Sequence, residues 1–327
     1  MIRLDVWLTL PSGESIKAGA LVSGDPGPVS GGLQGQFRYA PEYREHPQAF
    51  ALDPLHLPLS IETVDADRPR EGVHGVFEDS LPDDWGRRLM VRRYKLSRNA
   101  QRVPNFLRLL GNQGLGALSY VEQGRPKLKT SGVSCKHLRE LELVAQKFDQ
   151  APATAADNEL SLLFQAGSSA GGARPKALVE DEKGAYLAKF ASARDRLDVV
   201  SLEAASMELG RRAGIETADT RLLPLGTTKK CLLAKRFDIN KAGGRNHMVS
   251  MQSLLKADGY FNAGYRDLTE VIKHISSKPG HDKKRPRGCQ STSCRRRQYR
   301  TQVKPKRPMR LKGRRLRGKV RSIRGVR

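Results

Sequence analysis

Residues 167–190 read GSSAGGARPKALVEDEKGAYLAKF, and side chains of these types at this spacing would suit phosphate chemistry. Gly167, Gly171 and Gly172 remove Cβ atoms where a backbone turns tightly or approaches a ligand, and Ser168 and Ser169 add hydroxyls to the exposed amides. Residues 174–180 and 184–190 predict two strands around the polar turn Asp181-Glu182-Lys183. Such a hairpin would hold Lys189 towards whatever the loop covers, which makes it a candidate phosphate ligand. A flexible Gly/Ser connector before an ordinary hairpin is the other reading. The loop is not a Walker motif, because no Gly-Lys-Ser or Gly-Lys-Thr comes after it.

The elements that would position this loop can be read around it. IRLDVWLTLPSGESIKAGALVS predicts a hairpin turned at Pro11-Ser12-Gly13, and GLQGQFRYAPEYREH another strand, so the chain opens β-rich. In FEDSLPDDWGRRLMVRRYKLS, Ser80 or Asp83 can cap a helix carrying Trp85, Leu89 and Met90. Asp83 and Asp84 at its start with Arg87 and Arg88 later read as compensation of the helix dipole rather than as catalysis. Leu138, Leu141, Val144 and Phe148 stand at helical spacing, and APATAADNEL after them reads as a small-residue linker. Beyond the glycine-rich hairpin, Leu202, Ala205 and Leu209 share one face of a helix that Gly214 would stop. TRLLPL and CLLAKRFD then form a second hairpin.

Loop, hairpin, helix, hairpin is the order of a protein kinase's upper lobe: a glycine loop over the phosphates, a strand lysine, a helix supplying a glutamate, and a strand leading to a hinge. Glu203 could pair with Lys189 in that arrangement, or be a solvated helix charge.

Composition bounds the alternatives. The chain has 59 basic and 34 acidic residues, net +25, but 279–327 hold 20 of the basic residues against Asp282 alone. That tail carries +19, and 1–278 keep 39 basic and 33 acidic residues, an unexceptional +6. Cys135, Cys231, Cys289 and Cys294 form neither a disulfide framework nor two CxxC pairs. With no basic leader and no run of membrane-spanning length, the expectation is a cytoplasmic protein.

Taken together, FEDSLPDDWGRRLM, GSSAGGARPKALV with YLAKF, LEAASMELGRRAGIETADTRLLPLG, LLAKRFD and HMVSMQSLLKADGY resemble the HipA family, the kinase-like toxins of bacterial type II toxin-antitoxin modules. The resemblance spans most of residues 1 to about 275. It implies an α+β fold: a β-rich N-terminal subdomain on a kinase-like upper lobe, and then a helical lower lobe. It also implies a Ser/Thr kinase that uses ATP and magnesium and pairs with a HipB-like helix-turn-helix antitoxin, itself bound to operator DNA. The family's autophosphorylated serine falls on Ser169, the nucleotide-contacting lysine on Lys189, and the hinge on Lys235, Arg236 and Phe237. The loop residues Ser168, Ser169, Gly171 and Gly172 would complete the nucleotide site, with Glu203 as the structural ion-pair partner. The implied domain limits are 1–125 for the β-rich subdomain, 126–158 for a helix and linker, 159–240 for the upper lobe, 241–278 for the start of the lower lobe, and 279–327 for the tail.

The pattern breaks where phosphoryl transfer needs its carboxylates. A base must orient the attacking hydroxyl while further carboxylates and an asparagine hold magnesium, and the family supplies these in an Asn-x-Asp-x-His type loop and a later Asp motif. Neither occurs here: after Asp238 the only carboxylates are Asp258, Asp267, Glu270 and Asp282. No catalytic or metal-holding residue is therefore assigned. The tail that stands there has no sustained periodicity and few apolar residues, and is expected to be disordered. It reads either as an out-of-frame copy of a missing lobe or as a basic segment that binds nucleic acid without sequence preference. Cys289, Cys294 and His281 lack a fourth ligand for zinc.

Overall fold

The computed structural model describes residues 1–27, 31–68, 71–126, 132–167, 174–240, 243–256, 264–276 and 300–302. Strands β1 (Ile2–Thr9) and β2 (Ser15–Ser23) form the first hairpin, with Gly13 at φ +92° supplying the left-handed turn that the side-chain-bearing residues beside it would resist. β3 (Gly35–Tyr39) leads into α1 (Pro41–Glu45), and β4 (Thr63–Asp65) closes this edge. Helices α2 (Gly75–Glu78), α3 (Asp84–Arg93) and α4 (Val103–Leu110) precede β5 (Leu118–Glu122). The sheet order is β4-β3-β2-β1-β5, antiparallel throughout. Leu4, Val6 and Leu8 alternate inward from β1, as a half-buried strand requires, and meet Phe37, Tyr39, Tyr43, Phe77 and Tyr120 in the first core.

A second five-stranded sheet comes next. Short β6 (Val133–Ser134) and α5 (Leu138–Gln150) lead, then α6 (Asp157–Gln165), β7 (Lys176–Asp181), β8 (Gly184–Phe190), α7 (Val199–Arg212), β9 (Thr220–Leu225) and β10 (Lys229–Lys235). Its order is β6-β7-β8-β10-β9, with only β6 parallel to its neighbour. One face, through Ala177, Val179, Tyr186, Ala188 and Phe190, packs on α5 and α6. Trp85 of α3 crosses into this second core and meets Phe148 edge-on at 5.6 Å, which seats the N-terminal subdomain against the helices. The fold is α+β.

Strand β11 (Met248–Ser250) and helices α8 (Met251–Leu254) and α9 (Tyr265–Ile275) return to the first core through Val249, Leu254, Leu268 and Ile272. The backbone of β12 (Arg300–Gln302) pairs antiparallel with β11, so three tail residues take strand form where none was expected; the rest of 279–327 lies outside the described residues.

Two further expectations change. The stretch read as a linker becomes helix α6 from Asp157, because Glu159 accepts from the Ala156 amide at 2.7 Å and Leu160, Leu163 and Phe164 bury at helical spacing. The face of α7 holding Leu202, Ala205 and Leu209 points to solvent, Leu202 and Leu209 being 53% and 67% exposed, while Val200 and Gly210 face inward. Periodicity fixes which residues share a face and leaves open what covers it.

His247 ties β11 to the loop before β4, its Nε2 donating to the Leu52 carbonyl at 2.7 Å beneath the Phe50 ring. Burial pushes its pKa down to about 4, the Leu52 bond opposing. The unfolded chain takes up this proton near pH 6.5 and the folded chain only near 4, so stability is full above pH 6.5 and declines between those values. Through this residue the protein should be about 2 kcal/mol less stable at pH 5 than at pH 7. Denaturant melts of the chain and of His247→Gln check it: the variant should lose much of the slope between those pH values.

Candidate functional site

Lys176 and Lys189 sit directly opposite each other in the β7–β8 ladder, so both side chains leave the same face of the sheet, the one turned away from α5 and α6. Leu178, Leu187, Leu232 and Ala234 share that face by register. Each lysine has its own carboxylate. Lys189 Nζ donates to Glu203 Oε1 of α7 at 2.5 Å. Lys176, only 3% exposed, donates to Asp83 Oδ2 at 2.7 Å, and Asp83 is also the N-cap of α3, accepting from the Gly86 amide at 3.2 Å. Burial raises the Asp83 carboxyl above the ordinary carboxylate value, with the Lys176 charge and hydrogen bond acting against it. Of the two caps the sequence offered, Ser80 and Asp83, the helix uses Asp83, and the Lys176 pair gives it a second duty.

The glycine loop itself, with Ser168, Ser169, Gly171 and Gly172, lies outside the described residues. Its two rims are fixed. Gly167 adopts φ +60°, and a Cβ there would come within 2.5 Å of Leu178 Cδ1, so only glycine lets the backbone pass over the lysine-bearing face at this point. On the other rim Arg174 holds Asp195 through Nε at 3.0 Å and Nη2 at 2.8 Å, and Asp195 accepts from the Ser192 amide at 2.9 Å.

At the far end of β10 the hinge residues diverge. The Lys235 and Arg236 amides are committed to the Asp219 and Ala185 carbonyls at 2.8 and 2.9 Å, while Phe237 is exposed. The Arg236 side chain holds Asp238 through two bonds, at 3.0 and 2.6 Å. Asp238 Oδ2 in turn accepts from the Gly116 amide at 2.8 Å, and Arg245 Nη1 reaches the Gly114 and Gly116 carbonyls at 3.3 and 3.1 Å. Burial opposes the Asp238 charge, but Arg236, the Gly116 amide and Arg245 together hold its carboxyl below the usual range. A cavity of about 130 Å³ between Gly167, Leu178, Ala185, Arg236, Ile239 and Arg245 is small beside the roughly 300 Å³ at which ligand pockets begin.

This face offers a nucleotide a lysine for its phosphates and an apolar floor for its base, so the residues present fit part of ATP. Magnesium is different. Among the described residues no three His, Cys, Asp or Glu side chains gather as a metal site, and the carboxylates near the lysines are taken up by ion pairs. Among the described residues the donor set does not fit the metal. Lys176, Arg174, Asp195 and the joining of Arg236, named only as a hinge residue, with Asp238 and Arg245 were not found from the sequence. The one available signal was the position of Lys176 across the ladder from Lys189.

Two five-stranded sheets, the second presenting a helix-paired strand lysine and held to the N-terminal part by the Lys176–Asp83 ion pair and by hydrogen bonds to Gly114 and Gly116, define a two-part α+β protein. Two family models match in series: the HipA N-terminal domain over residues 14–121 and the HipA-like C-terminal domain over 168–287. Among solved structures, HipA of Shewanella oneidensis MR-1, from a complex of that toxin-antitoxin system's HipA and HipB with operator DNA, aligns at a TM-score of 0.58 and 18% identity. The alignment covers 86% of this chain and 66% of that one, so the chain spans just under two thirds of that relative's length. At this identity the likeness is one of fold. No curated protein matches the sequence. The chain belongs to the HipA family.

The Lys176–Asp83 pair gives a direct test. Removing one partner leaves the other charge buried and unpaired, so Lys176→Ala should cost about 3–5 kcal/mol, whereas Lys176→Met with Asp83→Leu should cost much less. Equilibrium unfolding in urea measures both. Equal losses would mean that the packing of α3, not the charge pair, sets the stability.

Proposed function

We propose that this chain is a HipA-type toxin protein which keeps a kinase-like upper lobe but does not transfer phosphoryl groups. The observation that carries the first half is the Lys189–Glu203 ion pair at 2.5 Å between a central strand and the helix behind it, the pairing by which kinase-type sites hold a lysine at the nucleotide phosphates. ATP, when bound, would supply the γ-phosphoryl group. Lys189 would meet the phosphates, the loop bearing Ser168, Ser169, Gly171 and Gly172 would cover them, and Lys235 and Phe237 would border the base.

The second half rests on the residues after Asp238. Residues 239–327 contain no Asn-x-Asp-x-His type loop, and the HipA-like C-terminal match ends at residue 287, just inside the basic tail. We read that tail as an out-of-frame continuation of the lower lobe. Translating the encoding DNA in its other two forward frames beyond Lys278 tests this, and finding the catalytic-loop pattern in neither would leave the tail as a selected basic segment. The remaining function is then docking: a HipB-like helix-turn-helix antitoxin is the proposed partner, with operator DNA engaged through it.

Incubated with ATP and magnesium, the purified chain should acquire no phosphate on Ser169 or on added protein substrates, as read by peptide mass spectrometry. Titration calorimetry should show no magnesium-dependent ATP binding of micromolar strength, since no carboxylate cluster among the described residues seats the metal that neutralises the phosphates. A Ser169 phosphopeptide that vanishes in Lys189→Ala would falsify the inactive reading.

A further inference from the structure

The +6 of residues 1–278 is not evenly spread. Between Asp84 and Glu122 there is no carboxylate, while Arg87, Arg88, Arg92, Arg93, Lys95, Arg98, Arg102 and Arg108 all fall there. That stretch carries +8, and everything else up to 278 sums to −2. The structure shows which of these charges are compensated. Arg87 pairs with Glu78, Arg88 with Asp84, Lys95 with Asp157 and Arg108 with Glu122, at 3.1 to 3.7 Å. The other four have no carboxylate partner among the described residues. Arg92 donates to the Ala153 carbonyl, Arg102 to the Gly31 carbonyl, and Arg93 lies 5.6 Å from the Tyr94 ring centre. Arg98 stands exposed on the single 3-10 turn between α3 and α4.

We propose that the end of α3, this turn and the start of α4 form a docking surface for the phosphate backbone of duplex DNA, separate from the tail and from the lysine face. Four guanidiniums within eleven consecutive residues, none neutralised by a carboxylate among the described residues, give the charge that phosphates displace counterions to meet. The duplex is favoured over an unstacked strand because no exposed aromatic ring accompanies them: Trp85 and Phe106 are buried, and Tyr94 packs edge-on against Phe164 at 5.3 Å. A membrane surface is disfavoured because none of the large exposed apolar side chains lies between residues 85 and 121.

The test uses the full chain and a mixed-sequence DNA duplex, with affinity followed between about 50 and 200 mM salt. Each phosphate contact contributes about 0.9 to the slope of log K against log salt, so R92Q/R93Q/R98Q/R102Q should lower it by roughly 3 to 4 and the matching Arg→Lys variant should restore most of it. Arg98→Gln alone, on an exposed side chain whose loss does not threaten folding, should lower it by about 0.9. An unchanged slope in both Gln variants overturns the proposal and leaves DNA binding to the tail. Loss of phosphatidylserine-vesicle binding in the Gln variant, with its DNA slope intact, overturns it in favour of a membrane surface.

Discussion

Two lysines facing each other across one antiparallel ladder would repel, and like charges so placed destabilise a sheet. The chain keeps both by giving each a carboxylate from a different element. Glu203 comes from the helix after the strands, and Asp83 from the N-terminal subdomain 93 positions earlier in sequence. The second sheet can therefore carry both lysines on one face only when α7 and α3 are both in place. Docking of the two halves and presentation of Lys189 are consequences of one electrostatic constraint.

The opposite end of the same sheet is held in a similar way with different chemistry. Arg236, just past the end of β10, holds Asp238, which meets the Gly116 amide beside β5 while Arg245 meets the carbonyls around it. A buried carboxylate between two guanidiniums and a backbone amide has most of its acceptor capacity used, which is the condition for a buried charge to hold. Together with the Asp83 pair it fixes the second sheet to the N-terminal subdomain at two separated points, so rotation of one body on the other would have to break a desolvated ion pair. The lysine-bearing face between Gly167 and Arg174 is thus held rigidly.

Much of this was legible in the sequence, for reasons of period and turn chemistry. Alternation in β1 and β2, the Gly13 turn, the Asp83 cap and the Leu138–Leu141–Val144–Phe148 spacing each have a local cause, and local causes are read locally. The contacts that stayed hidden are non-local. Asp83 looked like a helix cap because it is one, and nothing near it in sequence announces Lys176. The helix at Asp157 was obscured by the small residues before it, and the Leu202–Leu209 face was identified correctly without any means of knowing that no element would cover it. The serines and glycines most strongly marked by sequence fall outside the described residues, so the site is seen from its floor and rims.

The uncovered face of α7 also governs how the molecule behaves in company. Leu202 and Leu209 lie along one side of a solvated helix, and Leu197 before it and Leu222 of β9 are exposed as well. Such surface favours sticking between molecules. Against it stands the net charge of +25, most of it on the tail, whose mutual repulsion keeps chains apart over a distance set by the ionic atmosphere. Colloidally the protein is a charge-stabilised particle with an adhesive spot, and salt shortens the reach of the repulsion from about 30 Å at 0.01 M to about 8 Å at 0.15 M while leaving the leucines as they are.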